Sequence, residues 1–372
     1  MAIRTEAVTA TPILQFGTSR FLQAHADLFV SQALARGQAL GPITVVQSSG
    51  DASRAHRVQA LADPAGFPVR ILGLQNGQKV EEAVRVTSVR RALDTARDWP
   101  ELCRLVAEEV QVILSNTSEK GFVPQPADTL PRFDQAMSYP AKLTHLLAAR
   151  FAAGGAPVQV MPTELVARNG QVLRARVLDL ATALDPDLAV WIAARVTFVN
   201  SLVDRIVSSP IEPVGAVAEP YALWAIEDCP GLIEVCRHPA VQIVAALAPI
   251  ERRKLYILNL GHTWMVSQWQ RRGGADFVRQ VLADPEARAG LEALYRDEVL
   301  PVFAAAGDAS APDYVAVTLD RFANPYLDHR LTDIAQNHAE KLERRLVAFM
   351  AWAGDLGLAG RQPRLAAAVA QG

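Results

Sequence analysis

The chain has 372 residues, half of them hydrophobic and 20% charged, enough for two ordinary domains and too apolar for intrinsic disorder. Lys and Arg number 37 against 39 Asp and Glu, a net charge of −2. No global excess of charge therefore points to nucleic acid or to an anionic membrane surface. In chain order, residues 1–10 carry charges and no long apolar run, which is not the pattern of a signal peptide. Residues 13–17 form a short apolar strand ending in glycine. Residues 21–35 have helical periodicity, with Leu22, Ala26, Phe29, Val30 and Ala33 near one face. Residues 43–47 are a second buried strand. Residues 69–74 and 79–89 predict a β-rich insertion turning at Asn76-Gly77. Helix is expected at 99–108 and 139–151, and strand at 110–115 and 158–161. Strand alternating with helix predicts an α/β fold with a Rossmann-like, doubly wound and mostly parallel sheet. Such sheets bind ligands beyond the carboxyl ends of their strands.

Residues 210–249 hold six prolines and are expected to connect two domains. Beyond them, 251–269, 275–282, 285–299 and 324–352 all have helical patterns. The Ala/Gly/Arg-rich stretch 356–372 is expected to fray. The division this predicts is a Rossmann-like domain over 1–245 and a mainly α-helical domain over 246–372. Cys103, Cys229 and Cys236 are odd in number and irregular in spacing, which predicts a reducing, cytoplasmic setting. No run approaches the roughly 18 apolar residues that span a bilayer.

A strand ending in glycine and leading into a helix is the place where a dinucleotide pyrophosphate binds. Here the turn reads Gly17-Thr18-Ser19-Arg20-Phe21-Leu22, and only the first glycine of the usual fingerprint is present. Gly17, Ser19, Arg20 and Phe21 are candidate cofactor contacts. So are Gln47 at the second strand end and Ser115, Asn116 and Thr117 in the run Ser115-Asn116-Thr117-Ser118-Glu119. An ordinary strand-to-helix turn and a polar cap would give the same patterns. No acidic residue follows the second strand directly. Asp51 could meet an adenosine ribose and Arg54 a 2′-phosphate, so the residues leave both NAD and NADP open.

The sharpest local feature is Lys254-Leu255-Tyr256-Ile257-Leu258-Asn259-Leu260-Gly261-His262. On an α-helix, with Lys254 at 0°, Asn259 lies at about 140° and His262 at about 80°, in one polar sector. A lysine whose pKa is lowered beside a cofactor can exchange a proton with a carbonyl or hydroxyl. Asn259 can donate to a developing alkoxide, and His262 can orient a neighbouring hydroxyl. A solvated helix face gives the same pattern. Glu164, Asn169-Gly170 and the Asp204-Arg205 pair follow strand-like runs and also resemble parts of a site. Cys229, Cys236 and His238 lack the spacing of a structural zinc site, and no metal is expected.

Together these stretches resemble the polyol-specific long-chain dehydrogenases, the mannitol dehydrogenase family. Residues 16–25, FGTSRFLQAH, are similar to its opening F-G-x-G-x-F-x-R-A-H. Residues 196–208, VTFVNSLVDRIVS, resemble its V-D-R-I signature. Residues 254–262 match K-x-x-x-x-N-x-x-H, and Arg321-Phe322-Ala323-Asn324-Pro325 through Lys341 match the later R-F-x-N-P stretch. The runs at 73–80, 115–119, 164–170 and 324–329 lean toward the hexuronate-reducing branch. The resemblance implies zinc-independent hydride transfer with NAD, NADP not being excluded. It implies Lys254 as general acid/base, with Asn259 and Asn169 polarising the substrate oxygen. It implies His262 and Asp204 as substrate-positioning groups and Lys341 at the far end of the substrate. Arg321, Arg330 and Lys341 are the candidates to meet a substrate carboxylate. Ser19 for the second glycine, Gln23 for arginine and Asp333 before Lys341 depart from the family pattern. The implied substrate is a small keto-sugar acid interconverted with its hydroxy acid. A polyol or fructuronate substrate, or a sugar-acid sensor without turnover, is the alternative.

Overall fold

The computed structural model describes residues 10–117 and 119–370. The chain clusters into two units. One comprises residues 1–70, 83–218 and 222–247, and the other residues 71–82, 219–221 and 248–372.

The first unit is built on a parallel sheet. Strands β1 (Ile13–Phe16), β2 (Ile43–Gln47), β3 (Phe67–Gln75), β4 (Gln78–Val86), β5 (Val89–Asp94), β6 (Val112–Ser115), β7 (Val158–Pro162) and β8 (Val196–Phe198) follow in order. Six of them form a sheet in the order β5-β2-β1-β6-β7-β8, with neighbouring strands paired in parallel. Counted along the sheet alone this is 3-2-1-4-5-6, the doubly wound order whose direction reverses between β1 and β6. The inner strands β1, β2, β6 and β7 are buried at every position, because helices cover both faces of such a sheet. Leu14, Phe16, Val46, Ile113 and Val160 pack there with the helices Trp99–Glu108, Tyr139–Ala152, Asn169–Leu184 and Pro186–Arg195.

Several expectations change. The helix expected over 21–35 is two pieces, Arg20–Gln23 and Ala26–Leu34. The break falls at His25, whose Nε2 bonds the Leu223 carbonyl at 3.0 Å, while Arg205 donates to the Ala24 carbonyl at 2.6 Å. The strand expected over 79–89 ends at Val86, and Val89–Asp94 joins the parallel sheet beside β2. The proline-rich stretch is not a plain connector. After β9 (Ser201–Asp204) and β10 (Val207–Pro210) it forms β11 (Ala216–Ala218), β12 (Leu223–Glu227) and β13 (Val241–Val244). These strands enter a three-stranded sheet β13-β12-β9 and a four-stranded sheet β10-β11-β3-β4.

The second unit is mainly helical. Residues 248–272 run as one helix interrupted by a π-helical stretch, Lys254–Asn259. Two further π stretches, Tyr295–Val299 and Glu343–Val347, lie in the same unit. Ile257, Leu260, Met265, Leu291, Val302, Leu346 and Phe349 form its core. The helix expected over 275–282 starts at Val278. The helix expected over 324–352 begins only at Leu331 and is broken at Asn337, where φ is 54°. The end expected to fray forms a helix, Pro363–Val369, with Leu365 and Ala368 buried. The Glu298 carboxylate accepts from the Arg364 and Leu365 amides at 2.8 and 3.1 Å, capping that helix. The hairpin tip belongs to this unit too. The Gly77 amide bonds Asp320, and the Asn324 side chain donates to the Leu72 carbonyl, each at 3.2 Å.

Candidate active site

In the first unit a cleft of about 510 Å³ opens where the sheet order reverses. It is lined from the ends of β1 (Gly17, Thr18, Ser19), β2 (Gln47, Ser48, Ser49) and β6 (Asn116, Thr117). Gly17 has φ +119°, and a Cβ there would lie 2.6 Å from the Asn116 carbonyl oxygen. Ser19, in place of a second glycine, accepts from the Leu22 amide at 3.2 Å and caps the first helical turn. Asn116 donates to the Thr163 carbonyl and hydroxyl, both at 3.1 Å. Behind this strand end sits Glu164, a carboxylate only 3% exposed. It accepts from the Ser115 hydroxyl at 2.9 Å and from the Thr117 amide at 2.8 Å, fixing the turn that follows β6. Burial raises its pKa above the ordinary carboxylate value, against those bonds.

Of the predicted cofactor contacts, Gly17, Ser19, Gln47, Asn116 and Thr117 line the cleft. Gln47 is tied to Asp94 and to the Asp51 carbonyl, at 2.9 and 3.0 Å. Arg20, Phe21 and Ser115 are not in the lining. Arg20 pairs with Glu212 at 2.9 Å, Phe21 stacks on His25, and Ser115 is fully buried against Glu164. Ser118, in the same predicted run, lies outside the described residues. Sequence reasoning missed Arg57, Lys120 and Lys142, which line the cleft with Arg54. Among the described residues no carboxylate is in that lining. Asp51 instead accepts from Ser53 and pairs with Arg54.

Asn169 is buried and bonded to the main chain. Its amide nitrogen donates to the carbonyls of Pro162, Glu164 and Ser201 at 3.1, 3.0 and 2.8 Å. Its oxygen accepts from the Gly170 and Ser201 amides. Both amide hydrogens are committed to the main chain, and Asn169 ties β7 to β9. Asp204, at the end of β9, is 7% exposed and acts electrostatically on the buried His25 together with Arg205.

In the second unit Lys254 and Asn259 are half-buried and His262 is 6% exposed. The π-helical stretch changes their alignment. The Leu260 amide reaches back five residues, to the Leu255 carbonyl. One extra residue in the turn rotates the residues beyond it by about −100°. By the same ideal geometry, Asn259 moves from about 140° to about 40° relative to Lys254. His262 moves likewise from about 80° to about −20°. The three side chains thus share a narrower face than an α-helix would give them. Burial holds His262 well below its ordinary pKa, and His329, Arg321, Arg345 and Lys341 each push it further down. Its ring packs on Phe322 and His329, at 4.5 and 4.8 Å between centroids. The imidazole is therefore neutral at pH 7 and stands among cations.

Lys341 belongs to this cluster and donates to the Ile334 carbonyl at 2.7 Å. Arg345, which sequence reasoning missed, joins it. Arg321 is placed against Glu219. It is 4% exposed, forms a two-point ion pair with Glu219 at 2.8 and 3.0 Å, and lies over the Tyr221 ring. Arg330 is exposed, its guanidinium over Phe277, and is not among the cations acting most on His262. Among the described residues no group of three or more His, Cys, Asp or Glu could hold a metal. His238 bonds Gln32 at 2.8 Å and stacks on Phe29.

Residues 11–234 match the Mannitol dehydrogenase Rossmann domain, and residues 246–372 match the Mannitol dehydrogenase C-terminal domain. The chain belongs to the mannitol dehydrogenase family. It is an oxidoreductase. Altronate oxidoreductase of Bacillus subtilis (strain 168) is 32% identical over 359 residues, 90% of this chain and 73% of that one. The same enzyme of Klebsiella pneumoniae subsp. pneumoniae is 32% identical over 96% of this chain and 78% of its own. The fold is shared with a substrate-free D-sorbitol dehydrogenase (TM-score 0.83, 21% identity, 97% of this chain and 80% of that one). It is shared also with Pseudomonas fluorescens mannitol 2-dehydrogenase, solved with NAD and D-mannitol (TM-score 0.73, 23% identity, 97% and 79%). No helix among the described residues is long and apolar enough to cross a membrane.

Proposed function

We propose that this family member is an NAD-dependent reductase of a keto-sugar acid, most specifically of tagaturonate to altronate. Residues 1–245 are taken as the dinucleotide-binding domain and 246–372 as the domain carrying the acid/base. The observation that carries the substrate class is the cation cluster of Lys341 and Arg345 beside His262, which suits a substrate carboxylate. The altronate oxidoreductase relatives point the same way. The free cysteines Cys103, Cys229 and Cys236 support a cytoplasmic setting.

The cleft fits a dinucleotide. Its lining is cationic, and Gly17 keeps β-carbons out of the strand end. When bound, the nicotinamide supplies or accepts the hydride. In the reducing direction Lys254 gives its proton to the substrate oxygen, and in the oxidising direction it takes one back. The Asn259 carboxamide donates to the same oxygen as negative charge develops. His262, neutral, hydrogen-bonds a substrate hydroxyl, and Lys341 meets the carboxylate.

A second cofactor reading has its own observation. With Arg54 and Arg57 lining the cleft, a 2′-phosphate is also accommodated. Purified protein is to be assayed for NADH and NADPH oxidation with tagaturonate, fructuronate and fructose. NADH-linked turnover of tagaturonate is expected, falling by about 10²–10⁴-fold in Lys254→Ala. Turnover of fructose but of neither acid would overturn the substrate class. Turnover unchanged in Lys254→Ala would overturn the acid/base assignment.

A further inference from the structure

We propose that Tyr295 is a positioning residue for Lys254: its hydroxyl holds the wide turn at 254–259 that lines up Lys254, Asn259 and His262. The inference rests on the reading of Lys254 as the general acid/base.

A π turn is less favourable than the α-helix around it and persists where neighbours hold it. Here the neighbours are specific. The Tyr295 hydroxyl donates to the Ile257 carbonyl, inside the turn, at 2.9 Å. Tyr295 is 1% exposed, and its burial pushes the phenol pKa up, so the proton that makes this bond stays in place. Gly261 makes the approach possible. A Cβ on residue 261 would lie 2.0 Å from the tyrosine oxygen. A side chain at 261 and the Tyr295 hydroxyl thus exclude each other, which gives the glycine between Asn259 and His262 a reason beyond helix packing. At the end of the turn the Asn259 carbonyl accepts from the Thr263 hydroxyl at 3.0 Å and from Arg345 at 3.3 Å. These two bonds fix the main chain of Asn259 and leave its side chain to the substrate. Without the Tyr295 bond the turn can tighten to the i→i+4 register. Lys254 then turns by about 100° relative to Asn259 and His262.

The test is Tyr295→Phe, which removes one oxygen and keeps the buried ring, read beside Lys254→Ala. After a melting curve establishes folding, kcat, KM, dinucleotide Kd and the pH profile of kcat are measured. The expected result is a kcat at least about tenfold lower, with KM and dinucleotide Kd within about threefold of wild type. The pH profile is expected to be displaced, because Lys254, Asn259 and His262 no longer share one face. A general loosening of the fold would weaken binding as well and leave the profile in place. Wild-type kcat and profile in Tyr295→Phe, with Lys254→Ala inactive, overturn the positioning role and leave the acid/base reading standing. An active Lys254→Ala overturns the reading beneath it. Where Tyr295→Phe does not fold, Gly261→Ala probes the same bond by displacing the hydroxyl. The same loss of kcat is expected there, and wild-type kcat overturns the proposal.

Discussion

Lys142 shows how a residue with no motif around it can set a binding property. Its amino group donates to the Ser48 carbonyl at 2.7 Å at the edge of the cleft proposed to hold the dinucleotide. Burial pulls its pKa down to about 8, against Asp94, Asp134 and Asp128, which raise it. Tyr139, the other titratable group on the same helix facing the cleft, is pushed the opposite way by its own burial. Lys142 is thus a cation at pH 7 and loses its charge on passing about pH 8. An anionic dinucleotide binds better to the protonated form, so its affinity is expected to fall as pH rises from 7 to 9. The drop is about three- to tenfold for one lost charge contact. Calorimetric titration with NADH at several pH values checks this. In Lys142→Met the dependence is expected to flatten at the weaker affinity. A wild-type Kd that is constant over this range would count against the role.

At the scale of elements, the turn after β1 is the sensitive place. Gly17→Ala puts a β-carbon 2.6 Å from a main-chain oxygen at φ +119°, so the turn must move. The expected cost is about 1–3 kcal/mol of stability, seen as a lower melting temperature, with dinucleotide affinity at least about tenfold weaker. Unchanged melting and affinity would show that the turn does not shape the cleft. This turn is readable from sequence because a strand running into a glycine is a local signal. Ile43–Gln47 and Trp99–Glu108 are readable in full for the same reason: their periodicity lies within the segment. The failures occur where a distant group decides. Nothing near His25 announces that the Leu223 carbonyl will take its ring nitrogen and break the helix. The helical pattern over 324–352 gives no sign of the left-handed Asn337. Spacing finds Lys254, Asn259 and His262, but it gives their angles for an α-helix, and the π turn depends on Tyr295, 38 residues beyond Ile257. Asn169 stands out as a polar residue after a strand. Which carbonyls use its hydrogens depends on strands that only the fold brings together.

Across the whole molecule, the buried titratable groups give stability a definite pH dependence. His25 is lowered to about 3 and His238 to about 4, and His145, His262, His329 and His338 are also lowered. Burial is the largest cause for each, since the imidazolium is poorly solvated inside the protein. The unfolded chain takes up protons near 6.5, where the folded protein does not. The unfolded state therefore binds more protons between about pH 4 and 6.5, and stability is lost as pH falls through that window. Asp27 acts in the opposite direction. Burial raises it to about 7, so the folded state holds a proton there that the unfolded state releases down to about 3.8. Stability from Asp27 is full below its unfolded pKa and falls as pH rises toward 7. Glu164, raised by burial as well, acts in the same sense. Six lowered histidines outweigh two raised carboxylates, so the melting temperature is expected to fall steadily from pH 7 to pH 5. Asp27→Asn removes one opposing term, and its melting temperature is expected to fall more steeply over the same range. Calorimetric scans of both proteins at half-unit steps decide it. A wild-type melting temperature that is level or rising from pH 7 to 5 would mean that the lowered histidines do not outweigh the raised carboxylates.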